Sequence, residues 1–189
     1  MIHKTVKGIR IPALGLGTFE LTGDSGVAAI RTAIEHGYRH IDTAARYGNE
    51  AEVGQAIRDS GVPRDELFVT TKVWFDKLAP DQIRQSVAES LERLQMDAVD
   101  LLLVHWPTRE VPLADTLATF AEMRDSGRTR SIGVSNFTIP LLAEAVDTCG
   151  ADLVVNQVEY HPYLAQDKLL ADARSRDMLL TAYQPIARG

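Results

Sequence analysis

The chain has 189 residues, with 20 basic and 26 acidic side chains, a formal charge of −6 and a pI of about 5.3. This acidic balance argues against a nucleic-acid partner, for which a basic stripe is expected. The sequence contains no apolar run long enough to span a membrane and no signal-peptide pattern, which predicts a soluble, cytoplasmic protein. No low-complexity tract or linker divides the chain, so we predict one domain over residues 1–189.

The first third of the chain reads as a hairpin followed by strand–helix pairs. Lys7-Gly8 is a turn signal between two short apolar runs, and Asn49 with Glu52 three residues later has the pattern of a capping box. The apolar spacing predicts, in order, hairpin strands at 2–6 and 9–12, a strand at 14–17, a helix at 25–36, a strand at 40–42 and a helix at 49–60.

The remainder continues the alternation of strands and helices. Pro80 is suited to the first turn of a helix, and the nearly all-apolar run from Val99 to His105 is typical of a strand covered on both sides. The predicted elements are, in order, a strand at 67–73, a helix from 80 to 94, a strand at 99–105, a helix at 114–126, a strand at 129–134, a helix at 139–148, a strand at 153–157, a helix at 166–176 and a strand at 178–182. Regular alternation of this kind predicts a parallel sheet, and seven short apolar strands in succession favour a (β/α) barrel over an open sheet.

Polar side chains recur at or just after the ends of these strands. They are Asp42, Lys72, His105, Ser135, Asn136, Gln157 and Tyr183. Taken singly, each has a commoner structural reading as a helix cap, a solvated lysine or a loop histidine. In a barrel, however, all strand C-termini open on one face, which carries the active site. The convergence therefore predicts a functional site at that face.

These residue types make a coherent acid–base site. A buried Lys72 ammonium needs a counter-charge, which Asp42 can supply. An ammonium beside a phenol favours the phenolate, so Tyr47, in the loop after Asp42, is a candidate general acid. His105 is a candidate hydrogen-bond donor to the same substrate oxygen. The five histidines are scattered and have no cysteine partner, so no metal site is predicted.

Other motifs argue against different chemistries. The Gly15-Leu16-Gly17 run lacks the third glycine of a dinucleotide-binding fingerprint. The run from Gly133 to Phe137 lacks the second glycine of a nucleophile elbow.

The sequence resembles the aldo-keto reductases, and most closely the bacterial 2,5-diketo-D-gluconate reductase branch. The matching motifs, in family order along almost the whole chain, are Gly15-Leu16-Gly17-Thr18, Gly37-Tyr38-Arg39-His40-Ile41-Asp42-Thr43-Ala44, Tyr47-Gly48-Asn49-Glu50, Thr70-Thr71-Lys72, Leu103-Val104-His105-Trp106-Pro107, Ile132-Gly133-Val134-Ser135-Asn136-Phe137 and Asn156-Gln157-Val158-Glu159-Tyr160-His161-Pro162.

The resemblance implies a (β/α)8 TIM barrel with an N-terminal β-hairpin, and NADPH-dependent reduction of an aldehyde or ketone such as a keto-sugar or a small dicarbonyl. It implies a monomer. The implied catalytic residues are Asp42, Tyr47, Lys72 and His105. The implied cofactor-binding residues are Gly17, Thr18, Asp42, Ser135, Asn136 and Gln157, with Tyr183 stacked on the nicotinamide ring. The implied substrate pocket consists of Phe19, Tyr47, Trp74, His105 and Trp106.

The expected barrel is one strand short at its C-terminus. The sequence ends at Ala187-Arg188-Gly189, in the loop after the seventh predicted strand, whereas closure requires an eighth. The favoured explanation is that the chain is the retained part of a longer protein. The alternatives are a truncated product that does not catalyse and a barrel completed by a second chain. The rival function is accordingly a non-catalytic or regulatory cofactor-binding barrel.

Overall fold

The structure is a computed structural model that describes residues 1–187, within which nine strands and six α-helices form an α/β fold. The strands are β1 (His3–Val6), β2 (Ile9–Pro12), β3 (Gly15–Gly17), β4 (His40–Asp42), β5 (Phe68–Val73), β6 (Val99–Val104), β7 (Thr129–Ser135), β8 (Val155–Glu159) and β9 (Leu179–Tyr183). The helices are α1 (Gly23–Glu35), α2 (Glu50–Asp59), α3 (Pro80–Leu94), α4 (Leu113–Asp125), α5 (Ile139–Ala143) and α6 (Asp167–Ser175).

The predicted elements are confirmed, with boundary shifts of one or two residues. Two differences are more than a small change at one end of an element. The helix predicted at 139–148 divides into α5 and a π-helical turn at Glu144–Thr148. The strand predicted at 153–157 begins at Val155 instead, so that β8 reaches Glu159. The last two residues of the predicted final loop, Arg188 and Gly189, lie outside the described residues.

The seven strands β3 to β9 pair in parallel, each with the next along the chain. Each crossover carries a helix or a helical segment on the outer face, as parallel pairing requires. The sheet curls until β4 and β8 approach across the interior, where Gln157 Nε2 donates to Asp42 Oδ2 at 2.6 Å. The result is a nearly closed barrel, which confirms the predicted fold class. Among the described residues, β3 and β9 are the edge strands.

The main core lies between the barrel and its helices. All six residues of β5 and all six of β6 are buried. Helix α3 packs on them with a stripe at helical spacing that includes Ile83, Val87 and Leu91. Its first turn begins at Pro80, as predicted, because proline lacks only a donor that the first turn leaves unused. No helix within residues 1–187 is long and apolar enough to span a membrane.

A second apolar cluster closes the N-terminal end of the barrel. The turn at Lys7-Gly8 has positive φ at both residues, which folds β1 and β2 into the predicted antiparallel hairpin. Val6 and Ile11 of this hairpin pack against barrel residues that include Phe68 and Leu103. The hairpin therefore plugs one end of the barrel and leaves the carboxyl ends of the strands as the open mouth.

Candidate active site

The mouth of the barrel collects polar side chains from alternate positions along the strands. Successive residues of a strand point to opposite faces, so the residues two apart in β4 and β5 share the interior face. Deeper positions on that face are filled by groups such as Phe68, whereas Asp42 and Lys72 occupy the last interior positions before the strands end. His105 follows β6 directly, and its backbone N–H still donates to Val73 O at 3.0 Å.

Lys72 lies at the centre of the site and is 1% exposed. Its ammonium donates to Asp42 Oδ1, to the Thr43 carbonyl at 2.9 Å and to the Tyr47 hydroxyl at 3.3 Å. These three acceptors satisfy its three donors. Burial lowers the pKa of Lys72, but Asp42 and Tyr47 together more than offset this, and the pKa is raised above its usual value. The lysine is therefore held as a cation inside the barrel.

Tyr47 reaches the ammonium from a single 3₁₀ turn, Ala45–Tyr47, that follows β4. Gly48 ends this turn in the left-handed conformation, with φ of 69°, which glycine adopts without strain. The Lys72 Nζ atom lies 5.0 Å from the centroid of the Tyr47 ring as well as within reach of its hydroxyl. The phenol is thus held against the buried cation.

The loop that carries Tyr47 is held in place by Asn49, which is fully buried. The predicted capping box at this position is wrong, because the Asn49 side chain makes no cap hydrogen bond. Its Nδ2 atom donates instead to Thr18 O at 2.6 Å and to Leu21 O at 2.8 Å, in the loop after β3. Glu52, the other half of the predicted box, accepts a hydrogen bond from the Gly23 N–H. Asn49 therefore joins two loops at the mouth.

Glu50 anchors the same loop to the barrel from behind. This fully buried carboxylate accepts hydrogen bonds from Thr71 Oγ1 at 2.5 Å and from Arg93 Nε and Nη2 at 2.9 and 2.7 Å. Thr71 precedes Lys72 on β5 and faces outward where Lys72 faces inward. The contact between Glu50 and Thr71 therefore fixes the start of α2 beside β5, the strand that carries Lys72. The sequence did not predict this role of Glu50.

His105 presents a neutral imidazole to the same space. Burial lowers its pKa to about 4, with the Lys72 cation contributing and Asp42 opposing. Its ring lies 5.6 Å from that of Tyr47, centroid to centroid, in an edge-on arrangement. Its Nδ1 atom is buried and has no hydrogen-bond partner among residues 1–187.

A network at the ends of β7, β8 and β9 joins the predicted cofactor-binding residues. Asn136 has a positive φ of 62°, and its Nδ2 atom donates to His105 O at 3.0 Å and to Ser135 Oγ at 3.1 Å. The Tyr183 hydroxyl donates to Asn136 Oδ1 at 2.9 Å, and burial raises the pKa of this tyrosine. Gln157 uses its Nε2 atom on Asp42, while its Oε1 atom has no partner within the described residues.

The two remaining predicted cofactor residues lie on the opposite side, after β3. Gly17 is exposed at the mouth, with open space where a side chain would stand. Thr18 is fully buried, and its hydroxyl donates to the Asp42 carbonyl at 3.2 Å. The structure therefore leaves the Gly17 backbone open to a ligand, whereas the Thr18 side chain is turned to the barrel.

Three predicted pocket aromatics border the site to different extents. The Phe19 ring lies 5.2 Å from that of Tyr47, and the Trp74 ring 4.9 Å from that of His105, both edge-on. Trp106 follows His105 and is 43% exposed, and within residues 1–187 its ring makes no contact with another ring. Phe19 and Trp74 thus form the walls of an open mouth, and Trp106 lies at its rim.

Features elsewhere in the described part of the chain do not compete with this site. A cleft on the helical surface is lined by residues that include Glu52, Arg58 and Arg93, and the Arg93 guanidinium is already paired with the buried Glu50. Residues 1–187 contain no group of three or more His, Cys, Asp and Glu side chains suited to a metal ion.

Comparison with known proteins assigns the family. A model of the Aldo/keto reductase family matches residues 13–189. Methylglyoxal reductase DkgB of Salmonella typhi is 47% identical over 182 residues, which cover 95% of this chain and 68% of the relative. The 2,5-diketo-D-gluconic acid reductase B of a Corynebacterium species is 45% identical over 175 residues, covering 92% of this chain and 63% of the relative.

A solved structure agrees. The Bombyx mori aldo-keto reductase in complex with NADP superimposes with a TM-score of 0.91 at 37% identity, covering 97% of this chain and 66% of that one.

Proposed function

The chain belongs to the aldo/keto reductase family, whose members are NAD(P)H-dependent oxidoreductases of carbonyl compounds, and on this premise we propose that it is a monomeric, cytoplasmic reductase that uses NADPH and the Tyr47 hydroxyl as general acid. The proposed substrates are aldehydes or ketones of keto-sugar or small dicarbonyl type. Similarity to a methylglyoxal reductase and to a 2,5-diketo-D-gluconic acid reductase supports that choice.

The observation that carries the proposal is the chain of contacts from Asp42 through Lys72 to Tyr47. A buried ammonium 3.3 Å from a phenol oxygen stabilises the negative charge that forms there when the phenol gives up its proton. Burial lowers the pKa of this ammonium, and Asp42 is the first of the two side chains that raise it again. The Tyr47 hydroxyl is therefore suited to protonating a carbonyl oxygen as the carbonyl is reduced.

His105 contributes orientation rather than charge. With a pKa of about 4 it is neutral at physiological pH. A neutral imidazole carries one N–H proton. Because Nδ1 has no acceptor among the described residues, we place this proton on Nε2. There it donates a hydrogen bond to the substrate oxygen and holds that oxygen beside the Tyr47 hydroxyl.

The cofactor-side residues suit a nicotinamide carboxamide, which offers one acceptor and one amino group. The unpartnered Gln157 Oε1 can accept a hydrogen bond from the carboxamide amino group. The Ser135 hydroxyl, which here donates to Gln157 O at 2.8 Å, can rotate to donate to the carboxamide oxygen instead. Asn136 and Tyr183 support these two residues, and the Tyr183 ring supplies an apolar face for stacking. When bound, the nicotinamide supplies the hydride that the carbonyl carbon receives.

A non-catalytic cofactor-binding barrel is the competing function. Such a protein has no need of a buried cation held against a phenol, so the Asp42–Lys72–Tyr47 contacts favour the enzyme.

The test is consumption of NADPH by the purified chain with methylglyoxal and with 2,5-diketo-D-gluconate, followed by identification of the alcohol. A matched measurement of NADPH binding by protein fluorescence separates the two functions. Turnover with either substrate supports the reductase. Binding of NADPH without alcohol formation on any carbonyl would establish the non-catalytic barrel instead.

A further inference from the structure

The cationic side chain of Arg46 lies at the mouth without a charged partner among the described residues. Arg46, the residue before Tyr47, is exposed, and its guanidinium carbon lies 5.5 Å from the centroid of the Trp74 ring. Within residues 1–187 this guanidinium makes no ion pair and no hydrogen bond. Its contact is with the face of an aromatic ring, which leaves its N–H donors free for a ligand.

This cation lies on the substrate side of the site. The Trp74 ring that supports it packs at 4.9 Å on His105, so one ring separates the guanidinium from the imidazole. The proposed carboxamide-binding residues, among them Ser135 and Gln157, belong to β7 and β8, whereas Arg46 and Trp74 follow β4 and β5. A group that enters between Phe19 and Trp74 reaches Arg46 without crossing the cofactor side.

We propose that Arg46 binds a carboxylate of the substrate, so that the enzyme favours carbonyl compounds that carry a negative charge several bonds away from the reacting carbonyl. This inference rests on the proposed function and names the substrate class of the same site. The separation between the carboxylate and the reacting carbonyl is required because the Trp74 ring lies between the Arg46 guanidinium and His105. A carboxylate adjacent to the carbonyl would lie at His105 rather than at Arg46.

The chemistry of the side chain supports this assignment. A guanidinium presents a planar fork of N–H donors that matches a carboxylate, and stacking on an aromatic ring fixes that fork before the ligand arrives. Because the residue is exposed to water, its effect on binding is moderate. It therefore selects among substrates and leaves the chemical step unchanged.

The experiment compares two aldehydes that differ only in charge, 4-carboxybenzaldehyde and its methyl ester. For wild type and Arg46→Leu, kcat and KM are measured with NADPH for both. Arg46→Lys retains the charge and loses the fork. Arg58→Leu removes one exposed cation from the last turn of α2, at the opposite end of the barrel, and controls for net charge.

Arg46→Leu is expected to raise KM for the acid about five- to twentyfold, with kcat unchanged and the ester unaffected. The KM of Arg46→Lys for the acid should fall between the values for wild type and Arg46→Leu, and the KM of Arg58→Leu should match that of wild type. Equal effects on acid and ester, or no effect on the acid, would overturn the inference while leaving the reductase intact.

A binding measurement decides the inference even without turnover. Quenching of tryptophan fluorescence by 4-(hydroxymethyl)benzoate and by its methyl ester is measured with wild type and Arg46→Leu. Selective loss of acid binding in the variant supports the role of Arg46, and equal binding by both proteins refutes it. Failure of both aldehydes to react at all would count against the proposed function instead.

Discussion

Replacing Asp42 by asparagine tests whether this carboxylate keeps the buried lysine charged. The substitution preserves size and leaves Gln157 nearby, but it removes the negative charge beside an ammonium that is 1% exposed. Removing one partner of a buried ion pair typically costs about 3 to 5 kcal/mol, because the other charge is left uncompensated. The Asp42 side chain is 14% exposed, so some solvent reaches the pair. We therefore expect a loss of about 3 kcal/mol in the free energy of unfolding at pH 7.

The loss should depend on pH with a definite sign. In the wild type the pKa of Lys72 is raised, so its stabilising contribution is fully present below the ordinary lysine pKa and constant from pH 7 to 9. In Asp42→Asn, burial acts without the carboxylate and lowers the pKa of Lys72. The unfolded variant then binds more protons than the folded one, and the difference from wild type shrinks as pH rises, by up to about 1.4 kcal/mol per pH unit.

The assay is urea unfolding of both proteins at pH 7 and pH 9, followed by tryptophan fluorescence and circular dichroism. Asp97→Asn serves as the control, since Asp97 is exposed and forms no ion pair within the described residues. It should change stability by less than about 0.5 kcal/mol. A difference between Asp42→Asn and wild type that stays the same at both pH values would refute the argument that Asp42 holds Lys72 in its charged form.

Two further predictions concern the surroundings of the site. Asn49→Ala should cost about 2 to 3 kcal/mol in urea unfolding, because the carbonyls of two loop residues lose their buried donor. Glu52→Ala should cost less than about 1 kcal/mol, and the reverse order would restore the capping-box interpretation. Stability should also fall from pH 7 to pH 5, since burial lowers the pKa of His40 and of His105 and the unfolded chain takes up protons first. His105 alone should account for about 2 kcal/mol of this fall, and an unchanged slope in His105→Gln would contradict that attribution.

The fold was predictable because hydrophobic periodicity in this chain agrees with local signals. Pro80 and the nearly all-apolar run from Val99 fix α3 and β6 almost to the residue. The segment 139–148 was harder, because helical spacing does not distinguish an α-helix from one that ends in a π-helical turn. The start of β8 shifted since Leu153 is as apolar as the residues that pair.

The candidate site was likewise predictable only in part. Parallel strands bring their carboxyl ends together, so the grouping of Asp42, Lys72 and His105 follows from sequence alone. The role of Asn49 does not, because the groups to which it donates lie about thirty residues earlier and are backbone carbonyls, which carry no sequence signal. The stack of Arg46 on Trp74 likewise joins two loops whose conformations the sequence does not specify. In each case the missed contact depends on tertiary proximity rather than on local pattern.

The most direct measurement of the central claim is the turnover of Tyr47→Phe with NADPH and methylglyoxal. The substitution removes the phenol oxygen and retains the ring that contacts Phe19 and His105. Loss of a general acid predicts a fall in kcat of about 10² to 10⁴, with NADPH binding and the circular dichroism spectrum unchanged. Activity within about tenfold of wild type, below the range expected for a general acid, would contradict the assignment of Tyr47 as the proton donor.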